Sequence, residues 1–137
     1  MSSGSSDYQD DDFDNYNKEI NNLMTIKEGS PELAVITGDT VSGTTFTVGT
    51  ITLNTSSLID VPIRIDFISN IYSIDFSRNI DFRVFKLCNN ESNPIPLGEE
   101  WSFSTIGLTN TIFSFFIYDR DTGNNKWCTY TVVATIK

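Results

Sequence analysis

The sequence holds no histidine and only two cysteines among its 137 residues. Without histidine the commonest general base at neutral pH is missing. The Ser–His and Cys–His nucleophile pairs are missing with it. Cys88 and Cys128 stand far apart, with no CxxC spacing, which rules out a disulfide-rich scaffold and a structural zinc site. No GxSxG elbow, P-loop or GxGxxG fingerprint occurs. Positive charge is scarce as well: nine Lys and Arg face 18 Asp and Glu, a formal net charge of −9. An acidic chain repels phosphate backbones and anionic lipid surfaces, so nucleic acid and membrane are set aside as partners. Nor does any apolar run approach the length of a membrane span.

What is present divides in two. Residues 1–30 are rich in Ser, Gly, Asp and Asn, and carry seven acids against Lys18 and Lys27. A segment of that kind buries too little apolar surface to offset its ordering entropy. It reads as a disordered or extended acidic arm, a connector in front of the folded body. Ile20, Leu23, Met24 and Lys27 fall at helical spacing, enough for one marginal amphipathic turn. The leading MSSGSSDYQDDD has neither a basic n-region nor an apolar h-region. Synthesis in the cytosol without a signal peptide is therefore the expectation. Residues 31–137 form the second part, a β-sandwich domain rich in Phe, Tyr, Thr, Val and Ile.

About eight strands are predicted in that body, separated by turn residues. They are Leu33–Thr37, Thr45–Thr55, Val61–Asn70, Arg78–Cys88, a short edge piece at Pro94–Pro96, Glu100–Thr105, Asn110–Asp119 and Lys126–Ile136. In the second, apolar parity flips at Gly49, the mark of a β-bulge. In the fourth, Ile80, Phe82, Val84 and Cys88 share a face, with Asp81 and Arg83 opposite. In the last, Cys128, Tyr130, Val132, Ala134 and Ile136 share one face. The expected fold is all-β: a two-sheet antiparallel sandwich, jelly-roll-like. The order Cys88, Trp101, Cys128 also suits an immunoglobulin-type sandwich. However, the Trp-to-Cys spacing is short, and no tyrosine stands two residues before Cys128.

Few residues offer chemistry. Cys88 and Cys128 both fall on inward parity and have three readings. They form an intrachain bond, closing a loop of about 41 residues worth roughly 4 kcal/mol; or Cys128 pairs with another subunit; or both are buried free thiols. Asp119–Asn124 alternates oxygen ligands, but its glycine comes one position too early for a calcium loop, so it reads as a hairpin turn. Glu99 and Glu100 are neighbours and face opposite ways on a strand, so they make no acid–base pair. No enzyme activity and no cofactor or metal site is expected. Trp101 and Trp127, with Tyr118 and Tyr130, are candidates for a sugar-stacking platform. The Asn-x-Ser triplets at Asn54 and Asn90 lack a secretory context.

From residue 84 a series of segments recurs in order: VFKLC (84–88), PIPLG (94–98), WSFS (101–104), FSFF (113–116) and CTYTVVA (128–134). Together they resemble a family of small uncharacterised proteins of spore-forming clostridia, over about residues 50–136. This chain lacks the additional cysteines of that family, which argues against heavy covalent cross-linking. In size, strand number, absent signal and leading arm it is also similar to the jelly-roll subunits of endospore appendages of bacilli. Those subunits are tethered by an N-terminal connector and joined by strand augmentation, although this arm carries no cysteine.

These resemblances imply a structural subunit of a self-assembling extracellular fibre on the spore surface. The partner is a second copy, joined head to tail, with a spore-surface anchor protein at the base. Open strand margins would supply main-chain affinity. The expected contacts are Ile20, Leu23 and Met24 in the arm, Leu33 and Val35 in the first strand, and Val133 and Ile136 in the last. The rival expectation is a glycan-binding or adhesive module built on Trp101 or Trp127, or a non-fibrous coat component.

Overall fold

A computed structural model describes residues 27–56, 61–73, 77–89, 91–121 and 127–137. The expected disorder of the arm, its helical turn at Ile20, Leu23 and Met24, the sequon at Asn90 and the tip of the 121–124 hairpin lie outside the described residues. Seven strands are described: β1 (Ser30–Pro31), β2 (Thr45–Asn54), β3 (Ile63–Ser73), β4 (Asn79–Cys88), β5 (Ile95–Ser104), β6 (Thr109–Asp119) and β7 (Trp127–Ile136). They make a large sheet, β1-β2-β7-β4-β5, and a small one, β3-β6, antiparallel throughout. No helix is present among the described residues.

The pairing is nested. β2 pairs with β7, β3 with β6, and β4 with β5. One long ribbon has been rolled up so that β4 also lies beside β7. That is the winding of a jelly roll, the expected class, with six long strands where the full form has eight. Alternation drives the layering. Ile80, Phe82 and Val84 on β4 and Tyr130, Val132, Ala134 and Ile136 on β7 meet Ile65, Phe67, Phe115 and Ile117 of the small sheet. Aromatic rings fill the gap, with Phe67 contacting both Phe82 and Phe115 at 5.7 and 5.3 Å. The parity flip at Gly49 is a register shift between Thr47 and Gly49, as the apolar pattern predicts.

Three expectations are corrected. The pieces at Pro94–Pro96 and Glu100–Thr105 are one strand, β5. Its register slips between Phe82 and Val84, and Gly98, at φ +76°, takes up the slack in a conformation that disfavours a side chain. Pro96 is tolerated because β5 is an edge strand, where a missing donor need not break the ladder.

Leu33–Thr37 is not a strand. The chain pairs earlier, at Ser30–Pro31, and Gly29 runs so close to β2 that a Cβ there would stand 2.5 Å from the Thr50 oxygen. Past the Glu32 N–H to Val48 bond the segment leaves the sheet.

The C-terminal strand, expected as a contact edge through Val133 and Ile136, is central. β2 and β4 flank β7, its backbone is paired on both sides, and Ile136 is fully buried. Burial of its whole inward face is what an alternating, β-branched strand gains by sitting in the middle.

Candidate interaction surface and buried polar cluster

The margins of the two sheets differ in kind. Along the large sheet, Ser30–Pro31 cover part of the β2 edge. The β5 edge carries Pro96, the left-handed Gly98 and the exposed carboxylates Glu99 and Glu100, devices that turn away an incoming strand. The small sheet has only two strands among the described residues, so β3 and β6, eleven residues each, have one strand neighbour apiece. β3 carries Arg64 and Asp66, paired at 3.0 Å, on its outer face. From Thr109 to Tyr118 β6 has neither a proline nor a charged residue. The β6 margin therefore has neither device up to Tyr118.

The outer faces differ too. On the large sheet, threonines of β2 and β7 stand opposite each other, with Thr52 and Thr129 hydroxyls 2.9 Å apart. On the small sheet the outward face is mixed: Ile68 and Ile112, each 71% exposed, with Tyr72, Phe116 and Tyr118, stand opposite Ser114, Asn70, Asn110, Asp66 and Arg64 across the strand pair. Arg64 lies over the Phe116 ring at 4.1 Å and Arg120 over Tyr118 at 5.0 Å. Hydrogen bonding to Asp66 is the chief cause of the raised Arg64 pKa.

The expected contact residues separate accordingly. Leu33 and Val35 point outward, 91% and 69% exposed, while Ile36 leans on the core. Val133 is half-buried on the threonine face, and Ile136 is inaccessible. The tryptophans do not form a platform. Trp101 points inward and stacks on Phe115, whereas Trp127 is exposed on the opposite face of the large sheet. Tyr130 is buried and Tyr118 sits on the small sheet.

At one end of the sandwich lies a polar cluster that the sequence reading missed. Lys86 occupies core parity on β4, between Val84 and Cys88, and is buried. Its Nζ lies 2.8 Å from Asp119 Oδ2, the side chains 7% and 1% exposed. The same Nζ donates to the Asp121 carbonyl at 2.6 Å. Tyr130, the cross-strand partner of Lys86, donates its hydroxyl to Asp119 Oδ2 at 2.6 Å, and the Asp121 N–H donates to Oδ1 at 3.0 Å. Burial first, then the bond to Asp119 and the nearby carboxylates, raise the Tyr130 pKa far above its ordinary value. Parity alone would have revealed Lys86, since position 86 falls in step with 80, 82, 84 and 88.

Next to this cluster Cys88 and Cys128, register partners on β4 and β7, are joined by a disulfide with Cα atoms 4.0 Å apart. The bond links neighbours within one sheet, unlike the inter-sheet bridge of an immunoglobulin domain.

A family model covers residues 24–137. The chain belongs to the DUF4489 family, a domain of unknown function. No curated protein and no solved structure matches it. The match takes in every described strand of this DUF4489 chain and begins shortly before Lys27, whose ammonium is bonded to the Thr52 carbonyl at 2.7 Å.

Proposed function

We propose that the chain is a structural subunit of a self-assembling protein fibre, outside the cell and on the spore surface, in which neighbouring copies join by strand augmentation. The β6 margin carries this reading: eleven residues long, uncharged to Tyr118, without proline, and with Ile112, Phe116 and Tyr118 exposed on its outer face. Proteins that keep long strand edges to themselves blunt them, as β2 and β5 are blunted here. A margin left unguarded in the same molecule is an acceptor for a strand. A donor is at hand in Leu33–Thr37, β-branched, outside the sheet and exposed at Leu33 and Val35. Donor and acceptor are different surfaces, so the contact is heterologous and repeats into an open filament unless its rotation closes a ring. The preceding acidic residues would act as a connector to the neighbour. The disulfide suits an oxidising location.

Negative-stain electron microscopy of the concentrated full-length protein tests the proposal. Regular filaments of uniform width are expected. A protein that stays monomeric at high concentration across salt and pH overturns it.

A further inference from the structure

We propose that Lys86 and Asp119 condense spontaneously into an intramolecular isopeptide bond that ties β4 of the large sheet to β6 of the small one. Every atom the reaction needs is in place. Nζ stands 2.8 Å from Oδ2, within reach of Cγ, with both groups shut away from water. Such fixed neighbours act at an effective concentration of about 10⁵ M or more. A buried ion pair is also a costly arrangement, and condensation removes both charges at once.

The step balances without an oxidant or cofactor. The ammonium passes one proton to Oδ2 along their hydrogen bond, leaving a neutral amine beside a neutral carboxyl. The amine lone pair attacks Cγ, forming the Nζ–Cγ bond. Negative charge gathers on Oδ1, which the Asp121 backbone N–H already meets at 3.0 Å, as an oxyanion donor must. Tyr130, bonded to Oδ2 at 2.6 Å, gives that oxygen its hydroxyl proton and takes one from the nitrogen. The Cγ–Oδ2 bond breaks and water leaves toward the exposed Asp121 margin. The amide keeps the third Nζ proton, which is left facing the Asp121 carbonyl that accepts from Nζ at 2.6 Å. The bond forms within one chain, with or without a fibre.

Intact-mass spectrometry of the purified full chain decides the matter. The expected species is lighter by one water than the disulfide-bonded chain. After reduction and digestion, a branched peptide should join the fragments that hold Lys86 and Asp119. Lys86→Arg keeps the charge but should abolish the loss of water. Asp119→Asn should lose ammonia instead and arrive at the same final mass, and Tyr130→Phe should slow the reaction at least tenfold. A chain that keeps its full disulfide-bonded mass after prolonged incubation overturns the proposal, as does a water loss that persists in Lys86→Arg.

Discussion

The indole of Trp101 on β5 lies parallel to the ring of Phe115 on β6, centroids 5.2 Å apart and planes within 10°. This stack joins the blunted edge of the large sheet to the open strand of the small one, and Phe103 adds an edge contact to Phe113 at 5.3 Å. Trp101→Ala should cost about 3 kcal/mol, the lower end for a large aromatic, since the ring is only partly buried. Trp127→Ala, on the exposed outer face, should stay within about 0.5 kcal/mol. Urea unfolding of the two variants checks the contrast, and equal losses would mean that Trp101 is not an inter-sheet anchor.

The disulfide closes a separation of 40 residues that includes the whole of β5 and β6. In the chain-entropy treatment a loop of that length is worth roughly 4 kcal/mol. Reduction, or replacement of both Cys88 and Cys128 by Ser, should lower the denaturation midpoint by a corresponding amount without changing the strand content seen by circular dichroism. Van't Hoff analysis of melts with and without reductant measures it.

In the unreacted chain Lys86 and Asp119 hold one another in the core as an ion pair, so against that state loss of one partner should be worse than loss of both. Lys86→Met leaves a buried carboxylate with hydrogen bonds but no counter-charge, and should cost about 3–5 kcal/mol. Lys86→Met combined with Asp119→Leu should recover most of that loss. A double variant no better than the single one would show that the pair contributes beyond mutual neutralisation.

Tyr130 gives a pH dependence with a definite sign. Its folded-state pKa is raised by burial and by Asp119, so the folded chain holds the phenol proton after the unfolded chain has released it. The native state then binds more protons above about pH 10, and stability falls as pH climbs past that point. Below it the group is neutral in both states and contributes no slope. Absorbance at the tyrosinate band should show one component that emerges only as the protein unfolds, and Tyr130→Phe should remove it. Early, reversible ionisation of that component would mean that the hydroxyl is not held as described.

Much of this arrangement was legible in the chain. Alternation at Ile80, Phe82 and Val84, and again from Cys128 to Ile136, predicts inward faces that the structure fills. The parity flip at Gly49 predicts the bulge. Order across the sheet was not legible, because nothing local to β7 says that its neighbours are β2 and β4 rather than solvent. A β-branched run reads the same at an edge as in the middle. Lys86 escaped notice because its type suggested solvent while its parity pointed to the core. Its partner Asp119 stands at a strand end, where a carboxylate is ordinarily a turn residue. Their pairing joins two sheets across 33 positions of sequence, and only the rolled ribbon brings them together.

The assembly proposal rests on β6, so its sharpest test alters β6 and its surroundings while sparing the core. Ile112 and Ile68 are exposed on the outer face of the small sheet, where a charged side chain costs the isolated fold at most about 0.5 kcal/mol. In a filament that covers this face, or lays a strand beside it, the same charge would be buried without a partner or held against apolar neighbours. Ile112→Lys should therefore abolish filaments while leaving the melting curve of the subunit unchanged, with Ile68→Lys weaker because it lies on the more charged β3. On the donor side, Val35→Pro removes a backbone donor and should have the same effect as Ile112→Lys. Mixing the two variants distinguishes donor from acceptor. A chain with an intact β6 but a damaged donor can still accept one neighbour, so the mixture should yield short oligomers, chiefly dimers, where each variant alone yields monomers. Light scattering of the mixture reads this directly, and long filaments from either variant alone would remove β6 and Leu33–Thr37 as the joining surfaces.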